Sequence, residues 1–167
     1  NVAGWAISSV GDFNGDGNAD FMMSARGDAT FGIGTGTSYV FYGPLTGSET
    51  LSNADLVIAG SSGDALATSG SGGIDAPSGD SGFLSIDGNI NGDAFDDLLL
   101  GSNTNNSGTG AAYLFYGSSS QSGQTSTASA DAIFTGEAAG SFAGQAVAML
   151  GDINGDSIGD LAIGAPR

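Results

Sequence analysis

Residues 152–160 read Asp-Ile-Asn-Gly-Asp-Ser-Ile-Gly-Asp, and the chain contains three versions of this stretch. The other two are residues 12–20, Asp-Phe-Asn-Gly-Asp-Gly-Asn-Ala-Asp, and residues 89–97, Asn-Ile-Asn-Gly-Asp-Ala-Phe-Asp-Asp. In each, oxygen-bearing side chains stand at positions one, three, five and nine, and a Gly at position four permits a sharp turn. Hard cations such as Ca²⁺ take oxygen ligands at roughly 2.3–2.6 Å. The pattern therefore predicts three calcium loops, named in chain order loop one (12–20), loop two (89–97) and loop three (152–160).

Two other interpretations of the loops fit less well. Asn-Gly and Asp-Gly are common in hairpin connections, so a single copy could be a plain polar turn. Three copies with the same register and flanks favour a shared ligand instead. An EF-hand needs a Glu at the end of its twelve-residue loop and a helix on each side, and no Glu follows any of these loops. Phe21, Leu98 and Leu161 follow them directly, which indicates that a buried strand leaves each loop.

Further similarities between the repeats surround the loops. A lead-in segment precedes each loop, an apolar run follows it, and an aromatic strand and an Asp-led strand come next. Residues 39–43 (Tyr-Val-Phe-Tyr-Gly) match 113–117 (Tyr-Leu-Phe-Tyr-Gly), and the Asp-led segments start at Asp55 and Asp131. Four short strands per unit of this length are typical of a β-propeller blade. A parallel β-roll is the weaker alternative, because its repeats are only about nine residues long. We predict repeat one at 1–78, repeat two at 79–140 and a partial repeat three at 141–167.

The composition excludes several classes of function. The chain has 167 residues with 2 basic and 18 acidic side chains, a formal charge of −16, which argues against nucleic acid as a partner. It has no Cys and no His, so disulfides and the commonest catalytic base are absent. No apolar run approaches the roughly 20 residues of a membrane span. No Ser-His-Asp set or phosphate loop is present, and we predict that the chain is not an enzyme.

The location of the protein is predicted from weaker features. The chain begins at Asn1 rather than Met, which suggests a processed or excised piece of a secreted precursor. Weak sites made only of oxygen ligands suit the millimolar calcium found outside cells. We therefore expect an extracellular protein, either secreted or on the cell surface.

The third repeat resembles a known family. Residues 142–144 (Phe-Ala-Gly), loop three and residues 161–166 (Leu-Ala-Ile-Gly-Ala-Pro) are similar to the FG-GAP repeat of integrin α-subunit propellers. Repeats one and two have the same layout, so the resemblance covers nearly the whole chain. It implies an all-β fold of propeller-like blades, each with four short antiparallel strands. About two and a half repeats would be present, and the array would be open unless other copies or further sequence complete it.

The resemblance also implies the ligands of about three Ca²⁺ ions per chain. Position seven would contribute a backbone carbonyl, and the other positions side chains. Asn89 replaces the expected Asp at position one of loop two, so that site should be the weakest, with Asp96 compensating in part. The implied ligands are Asp12, Asn14, Asp16, Asn18 and Asp20 in loop one, Asn89, Asn91, Asp93, Phe95 and Asp97 in loop two, and Asp152, Asn154, Asp156, Ile158 and Asp160 in loop three.

Two functional hypotheses follow. In the first, the chain is a calcium-binding extracellular structural or adhesion protein whose repeats are rigidified by Ca²⁺. Its open ends would pair with neighbouring copies in a filament or ring. In the alternative, it is a fragment of an integrin-like propeller that recognises a protein or a glycan.

Three smaller features could matter for function. Arg26-Gly27-Asp28 is a possible adhesion tripeptide on a turn predicted to be exposed, although Gly and Asp are common enough here for a chance match. Asn105 begins an Asn-Asn-Ser glycosylation sequon on a predicted loop. Residues 118–129 are rich in Ser, Thr and Gln and are predicted to be a solvated linker.

Overall fold

The chain folds almost entirely into β-strands. The computed structural model describes residues 2–26, 28, 35–61, 64, 66, 84–86 and 88–166, without the side chains of Val2, Trp5, Arg26 and residues 84–86. Helical structure in that part is confined to single turns at Leu51–Asn53, Asn105–Gly108 and Thr127–Ser129. The strands there are β1 (Val2–Ser9), β2 (Phe21–Arg26), β3 (Thr37–Phe41), β4 (Leu56–Ala59), β5 (Leu84–Ile86), β6 (Leu98–Ser102), β7 (Ala111–Phe115), β8 (Gly123–Ser126), β9 (Ala132–Thr135), β10 (Ala146–Gly151) and β11 (Asp160–Gly164).

The strands form three sheets that follow the chain order except for β8. The first sheet has the order β1-β2-β3-β4-β8, the second β5-β6-β7-β9, and the third is the hairpin β10-β11. Neighbouring strands run antiparallel except for β4 and β8, which are parallel. Loop one joins β1 to β2, loop two joins β5 to β6, and loop three joins β10 to β11. The fold confirms the predicted all-β, propeller-like array with a strand on each side of every loop.

The core lies between consecutive sheets, because alternate residues of a strand point to opposite faces. On β6, Leu98 and Leu100 are buried in a cluster with Met22 of the first sheet and with Val10, which follows β1. Leu99, between them, is buried in a second cluster that includes Val147 of the third sheet. The middle sheet therefore packs against one neighbour on each face.

One part of the predicted linker is wrong. Residues Gly123–Ser126 form β8, which pairs with β4 of the preceding repeat along its whole length, and Thr127 is fully buried. The polar composition of 118–129 concealed this role, because an edge strand is held by its backbone hydrogen bonds and needs few apolar side chains. Repeat two thus contributes a fifth strand to the sheet of repeat one. The repeat pattern alone does not reveal this addition.

Candidate metal-binding loops

The three loops share a sharp turn at position four. Gly15, Gly92 and Gly155 have φ of 75°, 78° and 84°, in the left-handed region where a side chain is strained. The shared backbone conformation explains why each copy of the stretch has Gly at this position. The turn that the sequence predicts is present in all three loops.

The side chain at position one organises the rest of the turn. In loop one, Asp12 Oδ1 accepts a hydrogen bond from the Asp16 N–H at 2.9 Å, and Asp12 Oδ2 accepts one from the Gly17 N–H at 2.9 Å. In loop three, Asp152 accepts from the equivalent N–H groups of Asp156 at 3.1 Å and Ser157 at 2.8 Å. Loops one and three therefore have the same scaffold.

Loop two differs at this position. The Asn89 Oδ1 accepts from the Gly92 N–H at 2.6 Å, and its amide donates to the Asp93 carbonyl. An amide cannot replace both carboxylate oxygens as an acceptor, so the hydrogen bonds to positions five and six are not formed in this way. The substitution changes the geometry of the loop as well as its charge.

Positions three and five continue the scaffold in the same way in every loop. The Asn14 Oδ1 accepts from the Asp16 N–H at 2.9 Å, and Asp16 Oδ1 accepts from the Asn18 N–H at 2.8 Å. The matching bonds have lengths of 3.0 and 2.8 Å in loop two and 2.9 and 2.9 Å in loop three. The hydrogen bond from the Asn14 side chain lowers the pKa of Asp16, and the Ser157 N–H lowers the pKa of Asp152. Both groups are therefore held in the ionised form that a cation requires.

Position nine anchors loops one and two to the sheets. Asp20 and Asp97 are buried, and the Oδ2 of each accepts from the N–H at position two, at 3.0 Å from Phe13 and 2.6 Å from Ile90. Their Oδ1 atoms accept from the N–H groups of Gly43 at 2.8 Å and Gly117 at 3.0 Å, beyond the aromatic strands. Burial raises the pKa of both carboxyl groups. The role of position nine as an anchor was not foreseen from the sequence.

The loops offer oxygen atoms to a hard cation, but the carboxylates would need additional oxygen ligands to surround it. Within the described ranges, no group of three or more Asp, Glu, His or Cys side chains is gathered where it could hold a metal ion. Carboxylates alone therefore do not form a cage, and a bound Ca²⁺ would also need the amide oxygen of position three and the carbonyl of position seven. Both are hard oxygen donors of the kind that Ca²⁺ accepts. The residues proposed to hold the ion are those at positions one, three, five, seven and nine, and in loops one and two position nine also fixes the loop.

Consecutive loops are stacked on one another. The N–H of position eight donates to the carbonyl of position one in the preceding loop, from Asp96 to Asp12 at 3.2 Å and from Gly159 to Asn89 at 2.8 Å. We call this repeated contact the loop ladder. Asp96 also accepts from the Asp12 N–H through its Oδ2 at 2.7 Å. The prediction that Asp96 compensates for Asn89 in loop two is therefore wrong, because its carboxylate faces loop one.

The side chain at position seven packs within the same stack. A Cβ atom built on Gly15 would lie 2.3 Å from a ring carbon of Phe95, and one built on Gly92 would lie 3.9 Å from Ile158. Position seven therefore covers the glycine of the preceding loop. Its varied chemistry suggested only a backbone role, and the sequence held no direct signal for the packing.

The possible adhesion tripeptide is not displayed as predicted. Asp28 is buried, and the Tyr39 hydroxyl donates a hydrogen bond to its Oδ2 at 2.6 Å. Arg26 ends β2, its side chain lies outside the description, and Gly27 lies outside the described residues. The expectation of an exposed turn is wrong for Asp28, the carboxylate that such a motif must present.

The sequon residue Asn105 belongs to a hydrogen-bond network around a buried carboxylate. Its Nδ2 donates to Asp64 and to the Tyr113 hydroxyl, the latter at 3.1 Å. Asp64 is buried and also accepts from the hydroxyls of Tyr113 and Thr127 and from the Ser61 N–H at 2.8 Å. The amide nitrogen that glycosylation would modify is thus already engaged. Asp64 lies in a Gly/Ser/Asp-rich insert, where composition gave no sign of this structural role.

The comparisons with known proteins support the family resemblance. The sequence model of the FG-GAP repeat matches residues 143–167, which include the hairpin β10-β11 and loop three. This segment is similar to the FG-GAP repeat, a family of structural and binding repeats that typically occur in extracellular proteins. Searching the curated proteins gave no match. In the part of the chain that the structure covers, no helix is long and apolar enough to cross a membrane.

Proposed function

We propose that the protein is a calcium-binding, extracellular structural or adhesion protein whose FG-GAP repeats are stiffened by Ca²⁺. The observation that carries the proposal is the common scaffold of loops one and three. In both, positions one, three and five fix the same backbone N–H groups and keep oxygen atoms together on one tight turn. About three ions would bind per chain, one at each loop, and the site in loop two would be the weakest.

Charge gives the ion its structural role. The chain has 18 acidic and 2 basic residues, so the loop carboxylates have few cations to balance them. Like charges held on one short turn repel and destabilise it. A bound Ca²⁺ supplies positive charge that offsets this repulsion and couples the loop to the strands on either side. No catalytic role and no nucleic-acid partner are proposed for this acidic chain.

Thermal unfolding with Ca²⁺ and with excess chelator tests the proposal. Asp156→Asn removes one charge from loop three but keeps the oxygen that accepts the Ile158 N–H at 2.9 Å. We expect the variant to match the wild type in chelator and to gain less stability from Ca²⁺. Glu137→Gln, which removes one charge at an exposed residue outside the loops, is the matched control and should retain the full gain. Equal stability of the wild type with and without Ca²⁺ would contradict the proposal.

The partners proposed are other copies of the chain, paired through the open ends of the array. Ligand binding is the second candidate, favoured by a cleft of about 430 Å³ between β9 and the hairpin β10-β11. Phe134, Glu137, Ser141 and Ile163 line it, a mixture of apolar and polar groups that could hold an extracellular protein segment or a glycan. Binding of a peptide or glycan library that Glu137→Lys abolishes would favour this function over assembly, and its absence would leave assembly as the stronger candidate.

A further inference from the structure

Equivalent apolar residues of repeats one and three differ sharply in burial. Val10 and Leu150 both precede the Gly before their loop, and Phe13 and Ile153 both occupy position two. Val10 and Phe13 are 0% exposed, whereas Leu150 is 43% and Ile153 70% exposed. Val10 and Phe13 are buried because they share a cluster with residues of repeat two, such as Phe115. The same face of repeat three therefore carries the apolar residues of an interface, and the described part of the chain leaves them exposed.

The opposite face is uncovered at the other end of the array. Ile7 on β1 is equivalent to Val147 on β10, since each stands four residues before the Gly that precedes its loop. Val147 is 6% exposed, in a cluster with Leu99 and Leu114 of repeat two, whereas Ile7 is 53% exposed. Repeat one thus presents the face that repeat three uses to pack against repeat two.

Within the described residues, the loop ladder runs from loop one to loop three. A Cβ atom on Gly155 would meet nothing within 4 Å, whereas Gly15 is covered by Phe95. Loop one has Asn18 at position seven and an exposed Ala19 at position eight, the two positions that contact a preceding loop at the internal junctions. Among the residues that the structure describes, no loop is stacked on the Gly155 side of loop three, and none on the position-seven side of loop one.

We propose that repeat one of a second copy docks on the exposed face of repeat three, in the register of the two internal junctions. This inference rests on the proposed assembly of copies and specifies its interface. Asn18 of the second copy would cover Gly155, its Ala19 N–H would donate to the Asp152 carbonyl, and its Ile7 face would pack against the face that carries Leu150. A head-to-tail contact of this kind uses two different surfaces, so it adds copies into a ring or an open filament.

The charges of the two loops make this contact dependent on calcium. Docking brings loop one, with Asp12, Asp16 and Asp20, next to loop three, with Asp152, Asp156 and Asp160. In the absence of bound cations the two acidic loops repel each other as they approach. Association should therefore strengthen when Ca²⁺ is added and weaken in chelator.

A complementation experiment tests the interface directly. Ile7→Asp disables one face and Ile153→Asp the other; both residues are exposed, so folding should be preserved, which circular dichroism checks. By analytical ultracentrifugation in Ca²⁺, the wild type should form oligomers that grow with protein concentration, while each variant alone stays monomeric. An equimolar mixture should form dimers and nothing larger, because only one intact face remains on each variant. Ile133→Asp, at a residue 49% exposed on β9, is the control and should assemble like the wild type.

The outcomes separate this inference from calcium binding. A wild type that stays monomeric in Ca²⁺ at every concentration, a variant that assembles alone, or a mixture without dimers would overturn the interface. A thermal shift with Ca²⁺ in those same samples would leave the calcium proposal standing. Assembly that is equally strong in chelator would support the register of the contact but would refute its dependence on calcium.

Discussion

Gly15→Ala tests the stacking of loops one and two. The new methyl group would stand 2.3 Å from a ring carbon of Phe95, far inside ordinary contact distance, and Gly15 has φ of 75°. Gly92→Ala is a matched control, because Gly92 has φ of 78° but its nearest neighbour, a carbon of Ile158, would be 3.9 Å away. The backbone strain is thus common to both variants, and only Gly15→Ala adds a collision, with the ring of Phe95.

The two effects have different magnitudes. A left-handed conformation costs a non-glycine residue roughly 1–2 kcal/mol, and this penalty lowers the stability of both variants. An extra methyl group forced against packed neighbours costs typically about 1–3 kcal/mol more. For a chain of this size, 1 kcal/mol lowers Tm by about 2–4 °C, so Gly15→Ala should melt roughly 2–12 °C below Gly92→Ala.

Calorimetric or fluorescence-monitored unfolding of both variants measures this difference. Phe95→Ala in the Gly15→Ala background should recover part of the loss, because it removes the ring with which the methyl group collides. Residues in contact typically couple by about 0.5–3 kcal/mol in such a cycle. Equal melting of Gly15→Ala and Gly92→Ala, together with an additive cycle, would refute the stacking of the two loops.

Three further predictions concern the buried carboxylate network and loop two. Burial, together with the hydrogen bond to Asp64, raises the pKa of Tyr113 above its ordinary 10.0. The protonated hydroxyl therefore contributes its full stability below pH 10, and this contribution is lost only as the pH rises through the raised pKa. An ultraviolet titration of tyrosinate should show late ionisation that Tyr113→Phe reduces without abolishing, because burial also raises the pKa of Tyr42. Ionisation of all tyrosines near the ordinary value would contradict the prediction. Thr127→Val leaves Asp64 without one of its hydroxyl donors, so unfolding in urea should show a loss of about 1–3 kcal/mol, and an unchanged midpoint would count against the network. Asn89→Asp restores the charge at position one of loop two and should raise calcium affinity there in a calorimetric titration, where unchanged binding would show that position one does not contact the ion.

The sequence predicted the loops and their strands because the pattern is local. Glycine at position four, oxygen at positions one, three and five, and an apolar run after position nine are all determined within one short segment. The turn at Gly155, the strand β11 and the all-β fold are confirmed for this reason. The roles of the loop residues as calcium ligands stay predictions.

The remaining features depend on contacts between distant segments. Nothing near Phe95 in the sequence indicates that its ring packs over Gly15. Likewise, nothing near Asp64 shows that three side-chain donors from distant segments, Asn105, Tyr113 and Thr127, surround it. Asp28 was predicted to be exposed because it follows the post-loop strand on a turn, yet it is buried and accepts a hydrogen bond from the Tyr39 hydroxyl. Strand β8 was missed because its pairing with β4 depends on backbone N–H and C=O groups, which amino-acid composition does not reveal.

A calorimetric titration of chelator-treated protein with Ca²⁺ is the direct test of calcium binding by the three loops. We predict saturable binding of about three ions per chain, with the weakest site in loop two and a weakened site in loop three of Asp156→Asn. Heats that match dilution alone, with no saturation at millimolar Ca²⁺, would show that the loops are polar turns and would contradict the account.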